Sequence, residues 1–365
     1  MLKNFTKPKK PDWGLLFLVL ALSLFGLVMV YNASTFESFQ LYGDKYHFLT
    51  SQAKWLGLGL LSLGIFSLIP LSLIQKIAPV FFGFTFILLI LVLIPGIGDT
   101  ALGARRWINL GSFSLQPTEL VKLSLSLYLS AWLIKRQSFW SYFIILGLVL
   151  GLVMLQPDLG TAIVIIFSSV VVYYVSGANW LYLLLLGVLG SLGGVGLIMT
   201  SAYRKARLLT FLNPGQDPLG SSYHIRQALI TIGSGGLFGL GLGQSKQKYQ
   251  FLPQVTTDSI FAVIAEEIGF FGSVILITAL FWLIYKAFKI ARLATDDFSR
   301  LLATSVAAWL AIQITINLSA MLALLPLTGV PLPFISYGGS SLVVSLTAIG
   351  LLLNISRYQL NPKKK

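Results

Sequence analysis

Long apolar runs separated by short polar breaks organise this chain. Segments long enough to cross a bilayer recur at roughly residues 13–32, 53–70, 79–95, 119–134, 139–154, 159–177, 180–200, 259–285, 301–325 and 340–356. The pattern predicts an all-α polytopic membrane protein with ten transmembrane helices. Residues 1–365 form one integral membrane domain, with an N-terminal tail over 1–12, a large loop over 201–258 between spans 7 and 8, and a basic C-terminal tail over 357–365. The first run, Trp13 to Tyr31, is longer than a signal-peptide core and lacks a small-x-small cleavage site, so it is expected to be retained as a span.

Composition agrees with the pattern: 56% of residues are hydrophobic and 10% charged, against about 25% charged in soluble proteins. The absence of cysteine excludes disulfide and thiolate chemistry. Lysine and arginine then set the orientation. Lys3, Lys7, Lys9 and Lys10, Lys76, Lys135 and Arg136, the group Lys286, Lys289, Arg292 and Arg300, and the tail from Arg357 to Lys365 all fall on one side of a ten-span chain, which puts both termini in the cytoplasm.

Two loops on the other side break that rule. One carries Arg105 and Arg106; the other, 201–258, carries Arg204, Lys205, Arg207, Arg226, Lys246 and Lys248 against Asp217 and Asp258. A loop of that length is near the limit of the charge rule, which leaves an indifferent explanation open; an anionic ligand outside the membrane is the alternative. Within it, Tyr223 to Ile232 has apolar residues at helical spacing, followed by a glycine run from Gly233 to Gly243, so an amphipathic or re-entrant segment is expected. The glycines suit close packing, turns with positive φ or a phosphate nest, packing being the plainest reading.

Four clusters carry candidate chemistry. In QVTTDSIFAVIAEEIG, Asp258 stands where the polar loop becomes an apolar helix, with Glu266 and Glu267 further along. Acids in lipid cost about 2.5–3.5 kcal/mol each, so three so close together imply a water-filled or protein-lined pocket. Thr-Thr-Asp is also an ordinary helix start, and a cap and a general base are compatible roles. The stretch GARRWINLGSFSLQPTELVKL joins Arg105 and Arg106, whose planar forks suit pyrophosphate, to Glu119 and Lys122 at i, i+3, a pair expected to face the bundle interior. In LQPDLGTA, Asp158 reads as a helix cap with a weaker functional claim. In GVPLPFISYGGSS, the prolines and glycines break the helix while Ser336, Ser340 and Ser341 offer hydroxyls at a cavity mouth. Two separated histidines and no nucleotide or nucleophile-elbow motif argue against a metal centre, an ATP-driven pump or a serine hydrolase.

These clusters, in this order over nearly the whole chain, resemble the SEDS family, the FtsW, RodA and SpoVE proteins of bacterial cell-wall synthesis. The resemblance implies a ten-helix membrane fold, in the bacterial cytoplasmic membrane, that polymerises lipid II into glycan strands on the outer side. It places the family's essential aspartate on Asp258, as general base toward the acceptor's sugar hydroxyl. Arg105, Arg106, Arg204, Arg207, Arg226, Lys246 and Lys248 would hold the undecaprenyl pyrophosphate leaving group. Glu119 and Lys122 match a polar pair of the central cavity, and Ser336 and Ser340 would line the substrate lip.

A divalent cation, Mg or Mn, would be held mainly through the substrate's pyrophosphate. Expected partners are a class B penicillin-binding protein acting as transpeptidase and other divisome or elongasome membrane proteins, with no nucleic acid. The chain departs from the family pattern at Gln254, Val255 and Thr256, where Glu, Ala and His are common. GLGQSKQK and ARRW look more like FtsW and GVPLP like RodA, and the balance leans to FtsW. The alternative function is a flippase for lipid II; against it, the ionisable residues gather toward the outer half instead of along a path through both leaflets.

Overall fold

The structure, a computed structural model, describes residues 10–101, 104–109, 111, 113–135, 138–200, 202–212, 222–245 and 253–359. Among them are twelve helices: α1 (Trp13–Tyr42), α2 (His47–Leu68), α3 (Leu71–Leu91), α4 (Pro117–Leu133), α5 (Phe139–Leu155), α6 (Leu159–Val175), α7 (Trp180–Met199), α8 (Ala202–Leu212), α9 (Tyr223–Ser234), α10 (Ile260–Leu293), α11 (Asp297–Met321) and α12 (Gly339–Ser356). A helix occurs at each of the ten predicted apolar segments, and α8 and α9 are the two that fall within the large loop. By length and composition, α1, α3, α10, α11 and α12 can cross a membrane; α5, α6 and much of α7 are apolar but shorter.

The all-α expectation is corrected by a three-stranded antiparallel sheet between α3 and α4: β1 (Gly98–Ala101), β2 (Ala104–Asn109) and β3 (Ser114–Leu115), with Gly98 opposite Ile108 and Ile108 opposite Leu115. The span pattern could not reveal it, because a small sheet in a short loop adds no apolar run. Helix α1 also runs about ten residues past its predicted end, to a left-handed Gly43 that closes it, and this carries Glu37 out toward the loops.

The helix ends follow from local chemistry. Asp12 caps α1 by accepting from the Leu15 amide at 3.0 Å and pairs with Lys286 of α10 at 2.7 Å. Pro117 opens α4 at a position where its missing N–H costs nothing. Asp158 caps α6, accepting from the Thr161 amide at 3.0 Å and its hydroxyl at 2.8 Å.

Helices α11 and α12 form the centre, with α2 against α12, α10 and α6 against α11, and α3 against α4. Their buried faces are mainly apolar, with Trp309, Ile314, Leu346, Ile349 and Leu351 buried beside a few polar groups such as Gln313, Asn317 and Asn354. Helices α1, α3, α5 and α7 instead expose rows such as Phe17, Leu24 and Val28 or Leu181, Leu184 and Val188.

The glycine run has a defined role. Helix α10 is broken at Gly269 (φ 68°, ψ −169°), and the backbone of 236–241 closes the break: Leu240 and Gly241 amides donate to the Glu266 and Glu267 carbonyls, and Phe270 and Phe271 amides donate to Gly236 and Leu237. Gly239 and Gly269 approach so closely that a Cβ on either would lie 2.2 Å from the other segment's backbone, and both have positive φ. Close packing and turn geometry therefore account for these glycines together.

Candidate active site

A cavity of about 990 Å³ lies on one side of the bundle, and Asp258 is on its wall. The backbone leading to Asp258 is fixed by three hydrogen bonds. The Tyr337 amide donates to the Thr256 carbonyl at 2.8 Å, the Ser336 hydroxyl to the Thr257 carbonyl at 2.7 Å, and the Asn317 side-chain amide to the Asp258 carbonyl at 3.1 Å. Three consecutive carbonyls held by two segments, the 336–337 loop and α11, leave the aspartate little freedom to move, as a positioned catalytic group requires.

Asp258 does not cap α10. Ser259 occupies that place, with its hydroxyl on the Pro253 carbonyl at 2.9 Å instead of a helix amide. Among the described residues no protein group is hydrogen-bonded to the Asp258 carboxylate. Its pKa is pushed up to about 6, first by burial; Arg207 pulls it down, Asp158 pushes it up and Arg106 pulls it down.

The cavity brings together some of the sequence candidates. Arg106 lines it, with Nε on the Gln156 carbonyl at 2.8 Å and an Nη on Pro157 at 2.6 Å. Arg207, on α8, lines it too and donates to the Leu327 carbonyl at 2.8 Å. Each guanidinium is thus braced by backbone while its charge stays at the cavity wall. Glu119 lines the cavity and pairs with Lys122 at 2.8 Å; both are buried, and Lys122 also donates to Gln313 at 2.9 Å and sits over the Trp309 ring. This arrangement satisfies the lysine and leaves Glu119 Oε2 without a hydrogen bond among the described residues.

Other candidates lie elsewhere. Arg105 is exposed, near the Leu93 carbonyl and outside the cavity lining, because neighbours on a strand face opposite sides. Arg226 is exposed on α9, also outside the lining. Ser336 and Ser340 are buried as ties instead of lip groups: Ser336 holds Thr257, and Ser340 bonds the Ser114 carbonyl and the Gln116 amide, fastening α12 to the sheet. Ser341 does line the cavity. Lys246 and Lys248 lie outside the described residues, as does the side chain of Arg204 on α8.

Several lining groups escaped the sequence reading. Glu37 and Tyr337 line the same cavity together with Asp158 and Trp107, and His224 shares a smaller pocket with Asp258, its Nε2 2.6 Å from the Ser259 hydroxyl. Burial and then Arg207 lower the His224 pKa to about 4, so its ring is neutral at pH 7. The signals available were one histidine of two placed in the basic loop, and the amides Gln313 and Asn317 one turn apart in an apolar helix, a pattern that marks a polar interior.

The remaining wall is apolar, with Phe167, Ile312 and Leu325 among its residues, and Phe167 and Leu325 also exposed on the outer surface. An acid near neutral pKa, two arginines and an apolar flank in one space suit an amphiphile with an anionic headgroup.

The family described as "Cell cycle protein", covering FtsW, RodA and SpoVE, matches residues 13–361. Stage V sporulation protein E of Bacillus subtilis (strain 168) is 39% identical over 97% of this chain and 99% of its own length. A probable peptidoglycan glycosyltransferase FtsW of Geobacter sp. (strain M18) is 38% identical over 94% of this chain and 96% of its own. A solved structure described as structural coordination of polymerization and crosslinking by a peptidoglycan synthase complex contains a chain 33% identical, with a TM-score of 0.79 over 95% of this chain and 98% of that one.

Proposed function

The chain belongs to the FtsW, RodA and SpoVE family of cell cycle proteins, and from that premise we propose that it is a peptidoglycan glycosyltransferase of the cytoplasmic membrane. It crosses the bilayer ten times through α1–α7 and α10–α12, with both termini in the cytoplasm and the cavity facing outward. Its substrate is lipid II. The observation that carries this reading is Asp258, backbone-fixed on the cavity wall and shifted toward neutral pKa, in one cavity with Arg106 and Arg207.

In the reaction the Asp258 carboxylate takes the proton from the acceptor's sugar hydroxyl as that oxygen attacks the donor's anomeric carbon. The bond to the undecaprenyl pyrophosphate breaks, and its electron pair leaves with the pyrophosphate. Negative charge grows there, and Arg106 and Arg207, braced by the 156–157 and 327 carbonyls, stabilise it without reorganising. The apolar flank at Phe167 and Leu325 accommodates the lipid. Glu119, on the cavity wall beside Lys122, is a polar contact for a sugar or peptide group.

A divalent cation would be carried by the substrate's pyrophosphate. Among the described residues no cluster of three His, Cys, Asp or Glu side chains forms a protein site for one, and the step above is not routed through it. A class B penicillin-binding protein is the expected partner, consistent with the description of the similar solved complex.

Purified protein given lipid II and a divalent cation should form glycan polymer on gels, and Asp258→Ala should abolish it. Polymer from that variant would overturn the general-base role. Lipid II translocation in sealed vesicles, unchanged by Asp258→Ala and without polymerisation, would favour a flippase instead.

A further inference from the structure

Adjoining the main cavity at Asp258, and sharing Arg207, Gln254 and the 327–329 loop with it, lies a second chamber of about 40 Å³. It is lined by Asp258, Arg207, His224, Gln254 and Asn317, with Met321 and the 327–330 loop completing the wall. By volume it accommodates at least one water, and it offers the several polar partners a buried water requires.

The hydrogen bonds around it point the same way. Asn317 is 2% exposed. Its amide N donates to the Asp258 and Val330 carbonyls, at 3.1 and 2.8 Å, which fixes the orientation of the amide. The other end, Oδ1, is buried without a hydrogen bond among the described residues. The Ser259 hydroxyl donates its one proton to Pro253 and so accepts from Nε2–H of His224, which fixes the tautomer of that neutral ring on the chamber wall. The Asn317 oxygen and the Asp258 carboxylate are acceptors on the wall of one polar chamber and take the two protons of a single water, the smallest group that supplies both. His224 completes the wall as a neutral ring.

We infer that Asn317 is a positioning residue that holds an ordered water beside Asp258, with His224 as a neutral wall of its chamber, and that this water is the hydrogen-bond partner through which the proton affinity of the base is set. The inference rests on the general-base reading of Asp258. The water donates to the carboxylate and keeps it ionised against the desolvation of the cavity wall. The charged groups facing Asp258 are otherwise Arg207 from α8, Asp158 from the α6 cap and Arg106 from β2, and none is hydrogen-bonded to the carboxylate among the described residues. The neutral His224 faces it from α9.

The test is the pH dependence of lipid II polymerisation by the full-length protein, with an experimental density map of the chamber. Asn317→Asp adds a second carboxylate and should move the acid limb of kcat upward by about one pH unit. His224→Phe, which fills the chamber with an apolar ring, should move it the same way, with a smaller shift in His224→Gln. Thermal unfolding of each variant separates misfolding from a shifted limb, because an unfolded fraction lowers kcat at every pH without moving the limb. An ordered water between Asn317 Oδ1 and Asp258 supports the inference; a chamber without one, or folded variants whose limbs coincide with that of the parent, overturns it. Activity retained by Asp258→Ala in the same assay would instead overturn the reading on which it rests.

Discussion

Asp258 and Glu266 lie in one short stretch of chain, yet the structure treats them oppositely. Glu266 is 1% exposed and takes hydrogen bonds from Ser234 and Ser245, in the seam where the glycine loop closes the break in α10. Asp258 stands on a cavity wall with its backbone tied three times and its carboxylate bonded to no protein group among the described residues. A buried acid with its protein partners in place stabilises a fold, whereas one whose backbone alone is fixed keeps its carboxylate for a ligand. The Glu119 and Lys122 pair falls between the two, with one oxygen engaged and the other buried without a hydrogen bond among the described residues.

The comparison can be broken at Asp258 first. Asp258→Asn should lower polymerisation by about 10²–10⁴-fold, the range of general-base catalysis. It should not lower the melting temperature in detergent. The folded-state pKa lies above that of a free carboxylate, so this group's stabilising contribution is present at low pH and is lost as pH rises through about 6. Removing the ionised form at pH 7 therefore relieves a cost of about 3 kcal/mol, the gap between 3.8 and about 6 expressed as free energy. A fall of several degrees would put Asp258 in the same class as Glu266.

At the paired site the expectation reverses. Lys122→Met strands Glu119 in the core and should cost about 3–5 kcal/mol in thermal unfolding, most of it recovered when Glu119→Gln is added. In the parent protein, kcat should fall about tenfold for each pH unit below about 6, as the base becomes protonated; a profile flat down to pH 4 would remove Asp258 from the rate-limiting step. The smallest effect is at Ser245. Ser245→Ala leaves Glu266 short of a donor and should cost about 1–3 kcal/mol of stability, while the activity per folded molecule is unchanged.

Much of this was readable in the chain. The apolar segments predict helix positions well because, in lipid, the backbone must satisfy its own hydrogen bonds, and a long apolar run has essentially one way of doing so. Helix α12, expected at 340–356, spans Gly339–Ser356. Asp258 was visible as an acid at a boundary where ionisable groups are costly. The basic loops were visible too, but not which of their residues reach the cavity. Arg106 and Arg207 do, while Arg105 and Arg226 are exposed outside it, an outcome set by a strand's alternation and by the path of α8 and α9.

What the sequence determined by itself was the local response of each segment to its solvent: helices where the run is apolar, caps at Asp12 and Asp158, and an acid kept out of lipid. What only the tertiary structure decided was company. Asn317 and His224 are far from Asp258 along the chain and share a chamber with it because α11 and α9 pack around the same loop. Periodicity records which face of a segment is apolar, but the neighbour of a polar group is fixed by long-range packing, and that packing separates an acid that stabilises the fold from one positioned for chemistry.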